Sequence, residues 1–340
     1  MSIEVVPFTD GHVDQALELL AGRHRRMRDI EPLLTDRYER QDAWTERLAG
    51  VRSNAAAPGL AALHDDRLVG HLFWEFHDPQ PGTYLEPFTS SGSVDARVTG
   101  YIVDPAFAHA TRRLYLAAAK EWVLAGRGAH GIPAVHADRE GEGALVELGF
   151  GRFLSLAIAP TCPTEPDAPA DGLQFRPAEA GDEEIVYDLA SELWRSFSDS
   201  PMFLPHIPGV NTDLHAYVDR ALRDPATPIW LAGRGGRIQA MQLFLTPESE
   251  SWFLGPPLDR QGTIYLFWAA TDPASRGQGV QSQLLRHTMN WARQRGFESI
   301  ALHYLSASLA SVFWQRHGFR PVVHWMSRRI DPRALLVSPR

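Results

Sequence analysis

Residues 269–281 read Ala269-Ala270-Thr271-Asp272-Pro273-Ala274-Ser275-Arg276-Gly277-Gln278-Gly279-Val280-Gln281 and pass from a strand, through a glycine-containing turn, into a long amphipathic helix. Glycine carries no Cβ, so the main chain of such a turn can come close to a ligand. The N–H groups of the first helical turn, with roughly half a positive charge from the helix dipole, form an anion site. A phosphate-bearing cofactor suits that chemistry. A tight turn with no ligand has the same spelling, so the surrounding elements must decide.

Downstream, a helix over 279–295 places Leu284, Thr288, Trp291 and Ala292 on one stripe at i, i+4, i+7 and i+8, and Gly296 is its natural stop. A strand over 299–304, a short helix over 308–317 and a last strand over 319–329 follow. Upstream, 173–176 reads as strand, 182–197 and 216–223 as helix, and 229–232, 238–245 and 264–270 as strands. This alternation predicts an α/β fold: a mixed, mainly antiparallel twisted sheet flanked by helices on both faces.

Two elements of this half, taken with their spacing, resemble the GNAT superfamily of N-acetyltransferases. The acetyl-CoA signature of that family is Arg/Gln-x-x-Gly-x-Gly/Ala at the head of a long helix. About forty residues later comes a short helix with an aromatic and a Gly-Phe. Arg276-Gly277-Gln278-Gly279-Val280-Gln281 matches the signature through its first four positions, and Ala310, Phe313-Trp314 and Gly318-Phe319 match the second element. The resemblance implies acetyl-CoA as cosubstrate. It assigns main-chain donors near Ala270 and Thr271, the phosphate turn Arg276 to Ser282 (with Gln278, Val280 and Gln281) and the aromatics Phe313 and Trp314 to the cofactor. Gln281 stands where the family has Gly or Ala. Trp314 stands where many members have a tyrosine that protonates the departing thiolate, and Ala307 replaces the usual asparagine. An indole N–H donates a hydrogen bond but does not surrender a proton as a phenol does.

The unit is written twice. Asp104-Pro105 recurs as Asp272-Pro273, Trp122 as Trp291 and Gly149-Phe150 as Gly318-Phe319, at offsets of 168, 169 and 169. The openings Ile3 to Pro7 and Leu173 to Pro177 match at 170. Domains are therefore expected over 1–159 and 173–340, joined by a proline-rich linker over 160–172 that favours an extended spacer. In the first copy the turn reads Asp104-Pro105-Ala106-Phe107-Ala108-His109-Ala110-Thr111-Arg112-Arg113 and has lost the arginine and both glycines. A Cβ then stands wherever a diphosphate should approach, so the first domain is expected to be a degenerate copy without acetyl-CoA. Arg112 and Arg113 read as a solvated helix face.

Composition narrows the partners. The 340 residues are 44% hydrophobic and 22% charged, enough for sizeable cores, with a formal net charge of -8. That sign opposes the electrostatic attraction on which nucleic-acid affinity rests. No run of ~18 to 20 apolar residues suggests a membrane span, and the start lacks a signal-peptide pattern, so a cytoplasmic location is expected. A single cysteine, Cys162, in the linker, excludes internal disulfides and cysteine-rich zinc sites. No metal is expected, and no Gly-Lys-Ser/Thr triplet exists for a Walker phosphate loop.

Relatives often place a carboxylate on the strand before the signature, but Thr263 to Ala270 contains none. The remaining catalytic candidates are Tyr265, His303 and Tyr304, acting directly or through water. Each also reads as a packed, hydrogen-bonded core residue. Glu248 and Glu250 lie in a hairpin loop where solvated charge is the simpler reading. Trp230, Trp252, Phe267 and Trp268 crowd the strands that would frame an acceptor; they read first as core, and any that line the pocket suit an apolar or ring-bearing small-molecule amine. The expected activity is acetyl transfer to a primary amine in the C-terminal domain of a monomer or homodimer. A non-catalytic CoA-binding sensor, and an aminoacyl transferase of the peptidoglycan-bridge type, are the alternatives.

Overall fold

The computed structural model describes residues 3–78, 80–90, 92–161, 172–207, 209–249, 257–258 and 261–336. The first copy contributes β1 (Glu4–Pro7), α1 (Val13–Ile30), α2 (Thr45–Asn54), β2 (Leu60–His64), β3 (Arg67–Leu72), β4 (Glu75–His77), β5 (Ser93–Asp95), β6 (Tyr101–Val103), α3 (Ala110–Leu124), β7 (Ala129–Val135), α4 (Arg139–Glu147) and β8 (Gly151–Pro160). The second contributes β9 (Gln174–Pro177), α5 (Glu183–Ser198), α6 (Val210–Ala221), β10 (Ile229–Arg234), β11 (Arg237–Leu245), β12 (Thr263–Thr271), α7 (Val280–Gln294), β13 (Ser299–Leu305), α8 (Leu309–Arg316) and β14 (Arg320–Arg329). α3 and α7, β7 and β13, and α4 and α8 begin at 110 and 280, 129 and 299, and 139 and 309, a constant separation of 170. The fold is two tandem α/β domains, each a mixed sheet flanked by helices.

The described residues form two compact units that do not coincide with the two copies of sequence. One comprises Met1–Pro79, Thr89–Ser155 and Pro321–Arg340, the other Gln80–Phe88 and Leu156–Arg320. The change of unit thus falls inside β8, at 155/156, ahead of the proline-rich segment, whose residues 162–171, Cys162 among them, lie outside the described residues.

In the first unit β1-β2-β3-β6 form an antiparallel sheet, and β4-β5-β7 are joined by β14 from the far end of the chain. β14 runs antiparallel to β7, from Val323 opposite Val135 to Arg329 opposite Ala129. The interior is built from the α3 face, with Leu114, Ala118 and Trp122 against Val69, Leu72 and Trp74, and from the α1 face, with Leu17 and Leu20 against Trp44 and Phe73.

The second unit orders its strands β8-β13-β12-β11-β10-β9. All described pairings from β9 to β12 are antiparallel, and β12 runs parallel to β13. On one face α7 buries Leu285, Met289 and Ala292 against Phe244, Ile264, Leu266, Ile300 and Leu302. Each fully buried side chain of this kind is worth ~1.5 to 3 kcal/mol over exposure. Thr288, on the expected stripe, donates its hydroxyl to Gln242 Oε1 at 2.6 Å. α6 begins at Val210, six residues before the expected start, because Val210, Leu214, Tyr217, Val218 and Ala221 already form a buried stripe.

Candidate functional site

The turn before α7 is shaped by its two glycines. Gly277 and Gly279 both hold φ at +74°, a left-handed conformation that other residues adopt only with strain. A Cβ built on either meets no atom within 4 Å. The main chain therefore borders open space just where the helix presents its first N–H groups. Asp272 fixes the approach: its carboxylate accepts from Ala274 N at 2.9 Å and pairs with Arg237. The Ala274 N–H, and then Arg237, hold that carboxyl below the usual range.

Around this opening the signature residues divide by role. Arg276 is exposed and reaches Glu192 Oε1 at 3.0 Å, while Gln278 Nε2 donates to Ala274 O at 2.9 Å. Val280 is buried with Leu173, Ala232, Ala240 and Leu284, so it offers a ligand only its main chain. Gln281 Oε1 lies 3.4 Å from the Thr271 hydroxyl, and its Nε2 is buried without a hydrogen-bond partner. A buried amide donor left unpaired costs ~1 to 3 kcal/mol, which an incoming acceptor would relieve. Ser282 is half-buried in the same first turn.

The first copy keeps the frame but not the left-handed turn. Asp104 again caps a short 3-10 turn, accepting from Ala106 N at 3.1 Å. His109, at the position of Gly279, has φ of −65° and continues right-handed into α3. Arg112 is exposed and paired with Glu147 at 3.0 Å, and Arg113 is exposed as well.

Beyond the turn, β12 and β13 part. Their parallel ladder runs from Thr263 opposite Ser299 to Leu266 opposite Leu302 and ends there. At the same point the β11–β12 register shifts, with Leu243 opposite Trp268 and Phe244 opposite Leu266, so Phe267 is the extra residue of a bulge. Asp272 N–H donates to Gln239 O at 2.8 Å. Because successive amides of a strand point to opposite sides, Ala270 N–H turns toward β11 while those of Ala269 and Thr271 turn toward the cleft beside β13. Ala269 thus shares that side with Thr271, whereas Ala270 does not. Only the alternation of the ladder reveals this.

The catalytic candidates fall on opposite faces of the sheet. Tyr265 OH and His303 Nδ1 lie 2.8 Å apart across the point where the strands separate. Burial pushes the Tyr265 phenol up and the His303 imidazole down to about 3, so both are neutral near pH 7. Tyr304 lies on the α7 face, packed with Leu302, Trp314 and Phe319 and reached by Gln315 Nε2 at 3.4 Å. Trp314 is buried there too, edge-on to Phe319. Its indole is part of the core rather than a cleft wall. Phe313 is half-buried beside His317, with ring centroids 4.1 Å apart.

Among the aromatics, Trp230 packs on the α7 side with His287 and Trp291. Phe267 and Trp268 stack at 5.2 Å and meet Trp194 of α5 and Tyr217 of α6 on the other face. Glu248 is exposed, and Glu250 and Trp252 lie outside the described residues. Among the described residues no cluster of three or more His, Cys, Asp or Glu is placed to hold a metal. No described helix is long and apolar enough to cross a membrane.

Comparison with known proteins bears on this geometry. Residues 186–319 match the model of the acetyltransferase (GNAT) family. A crystal structure of a GCN5-related N-acetyltransferase from Sphaerobacter thermophilus superposes with a TM-score of 0.56 at 12% identity, covering 96% of this chain and 95% of that one. A GCN5-related glucosamine N-acetyltransferase region of a fungal multi-domain β-N-acetylglucosaminidase gives 0.51 at 13%, over 96% of this chain and 38% of that one. A tandem GNAT protein from the clavulanic acid biosynthesis pathway aligns over 96% of this chain and 98% of its own, at 13% identity and a TM-score of 0.47. No curated protein sequence matches the chain.

Proposed function

Because residues 186–319 match the model of the acetyltransferase (GNAT) family, we propose that this domain moves the acetyl group of acetyl-CoA onto a primary amine of a small molecule. The observation that carries the reading is the opening at Gly277 and Gly279, set at the head of α7 and beside the parting of β12 and β13. The fit to acetyl-CoA is good on two counts: a Cβ-free cradle borders open space, and the buried Gln281 Nε2 lacks a partner.

When bound, acetyl-CoA supplies an activated acyl group as a thioester. The first-turn amides of α7, Gln281 and Arg276 hold the diphosphate. Ala269 and Thr271 N–H point into the cleft, where a developing oxyanion needs donors. Tyr265 and His303 stay neutral and hydrogen-bonded at the apex. An imidazole with a pKa near 3 is a poor base at pH 7, so the amine enters unprotonated; as its N–C bond formed the C–S bond would break, and the proton shed by nitrogen would pass through water to the departing CoA thiolate. The pH profile of kcat/KM should then follow the amine: its rising limb moves with the pKa of the acceptor and shows no inflection near 6.5 from His303.

Titration of the dialysed protein with acetyl-CoA should show one site per chain. Two sites, or none, refute the asymmetry between the copies. Release of free thiol with a panel of primary amines tests transfer itself. A second reading, a CoA-binding sensor without turnover, is favoured by the burial of Trp314 and the weak basicity of His303. Binding with persistent silence across the panel would establish it.

A further inference from the structure

The segment Gln80–Phe88 belongs to the first copy in sequence but to the second unit in space. It is anchored through its main chain on both helices of the face opposite α7. Tyr84 N–H donates to Asp213 Oδ2 of α6 at 2.8 Å, and the indole N–H of Trp194 on α5 donates to Tyr84 O at 2.8 Å. A third point of close approach lies before α6, where a Cβ on Gly209 would stand 2.9 Å from Gly82 Cα. The Tyr84 ring contacts Trp194, Tyr217, Phe267 and Trp268 at centroid distances of 5.8, 5.2, 6.2 and 5.8 Å, all near edge-on. Phe88 continues the packing onto Phe197 at 5.3 Å.

This location has chemical meaning because of the bulge. Phe267 and Trp268 begin the stretch of β12 that no longer pairs with β13, and they lie two residues and one residue before Ala269, the first of the amides that point into the cleft. A ring resting on them stands next along β12 to the Ala269 amide, on the side away from the Gly277–Gly279 turn. If that amide faces the thioester carbonyl, an amine reaching it from this side passes the aromatic group. Trp268 and Tyr217 are buried, whereas Tyr84 and Trp194 are half-buried. The outer boundary of this aromatic group is therefore set by Tyr84 of the borrowed segment together with Trp194 and Phe267.

We propose that Gln80–Phe88 is the outer wall of the acceptor site and that Tyr84 is a specificity-determining residue, selecting primary amines carried on a flat, apolar body. The inference rests on acetyl transfer as the activity, and it assigns the class of acceptor. Aromatic edges and faces reward ring-bearing ligands with geometry as well as buried area.

The test uses the full chain, acetyl-CoA, and two probe amines, 2-phenylethylamine and n-butylamine. In the parent protein, kcat/KM should favour 2-phenylethylamine. Tyr84→Ala should shrink that preference at least tenfold through KM, with acetyl-CoA affinity unchanged. Gly209→Ala, which displaces the segment without touching a ring, should change the preference in the same direction, so a folding defect in one variant does not decide the matter. Binding of 2-phenylethylamine, read by tryptophan fluorescence, separates this proposal from the activity. If no turnover occurs but Tyr84→Ala weakens binding at least tenfold, transfer fails and the wall stands. If both variants keep the parent's amine preference and affinity, or the ring-bearing amine does not bind, the proposal is overturned.

Discussion

At the residue scale, Gly279 bears the heaviest demand. Its φ of +74° makes any side chain strained, and the open space beside it makes that side chain an obstruction to a ligand rather than a clash within the fold. Gly279→Val should raise the Kd for acetyl-CoA at least tenfold. The strain of ~1 to 2 kcal/mol should lower the thermal midpoint by only a few degrees. A midpoint loss with intact affinity would place the ligand elsewhere. His303 gives a pH signature. Its native pKa lies near 3, below the ~6.5 of an unfolded histidine, so between these values the unfolded chain binds more protons and stability falls as pH falls. Burial lowers His71 and His324 to about 4 with the same sign. The drop in thermal midpoint from pH 7 to pH 5 should be smaller in His303→Gln than in the parent. Equal drops would contradict the burial argument. The glycines were legible because φ > 0 has few alternatives in spelling. The side to which Ala269 and Ala270 turn their amides was not, since two adjacent alanines differ only in which way the ladder turns them.

At the scale of the element, α7 was readable almost to its ends because its apolar period is strong and its turn and stop residues are glycines. α6 was read short: Val210-Asn211-Thr212-Asp213 contains no good helix former, and only packing of Val210 and Leu214 extends the helix back. Trp314 shows a different limit of the sequence. Its place in the short helix matches the family pattern, yet α8 turns the indole inward against Phe319, where the sheet interior accepts a large ring. The parting of β12 from β13 has no spelling of its own. It follows from the bulge at Phe267, which a run of apolar residues does not betray. Because α7 both closes the core and presents the first-turn amides, stability and binding should separate along it. Leu285→Ala, at a fully buried position, should cost ~2 to 5 kcal/mol in chemical denaturation and leave the Kd for acetyl-CoA nearly unchanged. A loss below ~1 kcal/mol would mean that the α7 face is not packed as described.

At the scale of the whole molecule, the duplication was plain in the sequence, whereas the exchange of segments between units was not. Matched dipeptides report ancestry, and contacts report which strand edge a segment closes. β14 occupies the β7 edge and the end of β8 serves the second unit, so each copy expressed alone lacks a strand it needs. Residues 1–159 and 173–340 produced separately should each be unfolded or aggregated by circular dichroism and light scattering. Coexpression should recover soluble protein. Independent cooperative folding of either piece would refute the exchange.

That borrowed strand also sets a timetable. The chain leaves the ribosome from its N-terminus, and the β7 edge, complete at residue 135, waits for residues 320–329 before it is covered. At ~5 to 20 residues per second the interval is roughly 10 to 40 s. Throughout it the nascent protein displays an uncapped row of amides and carbonyls, the template on which neighbouring chains misassemble. The unit begun first is therefore finished last, and slow synthesis or crowded polysomes should penalise this protein more than one whose domains close in the order they are made.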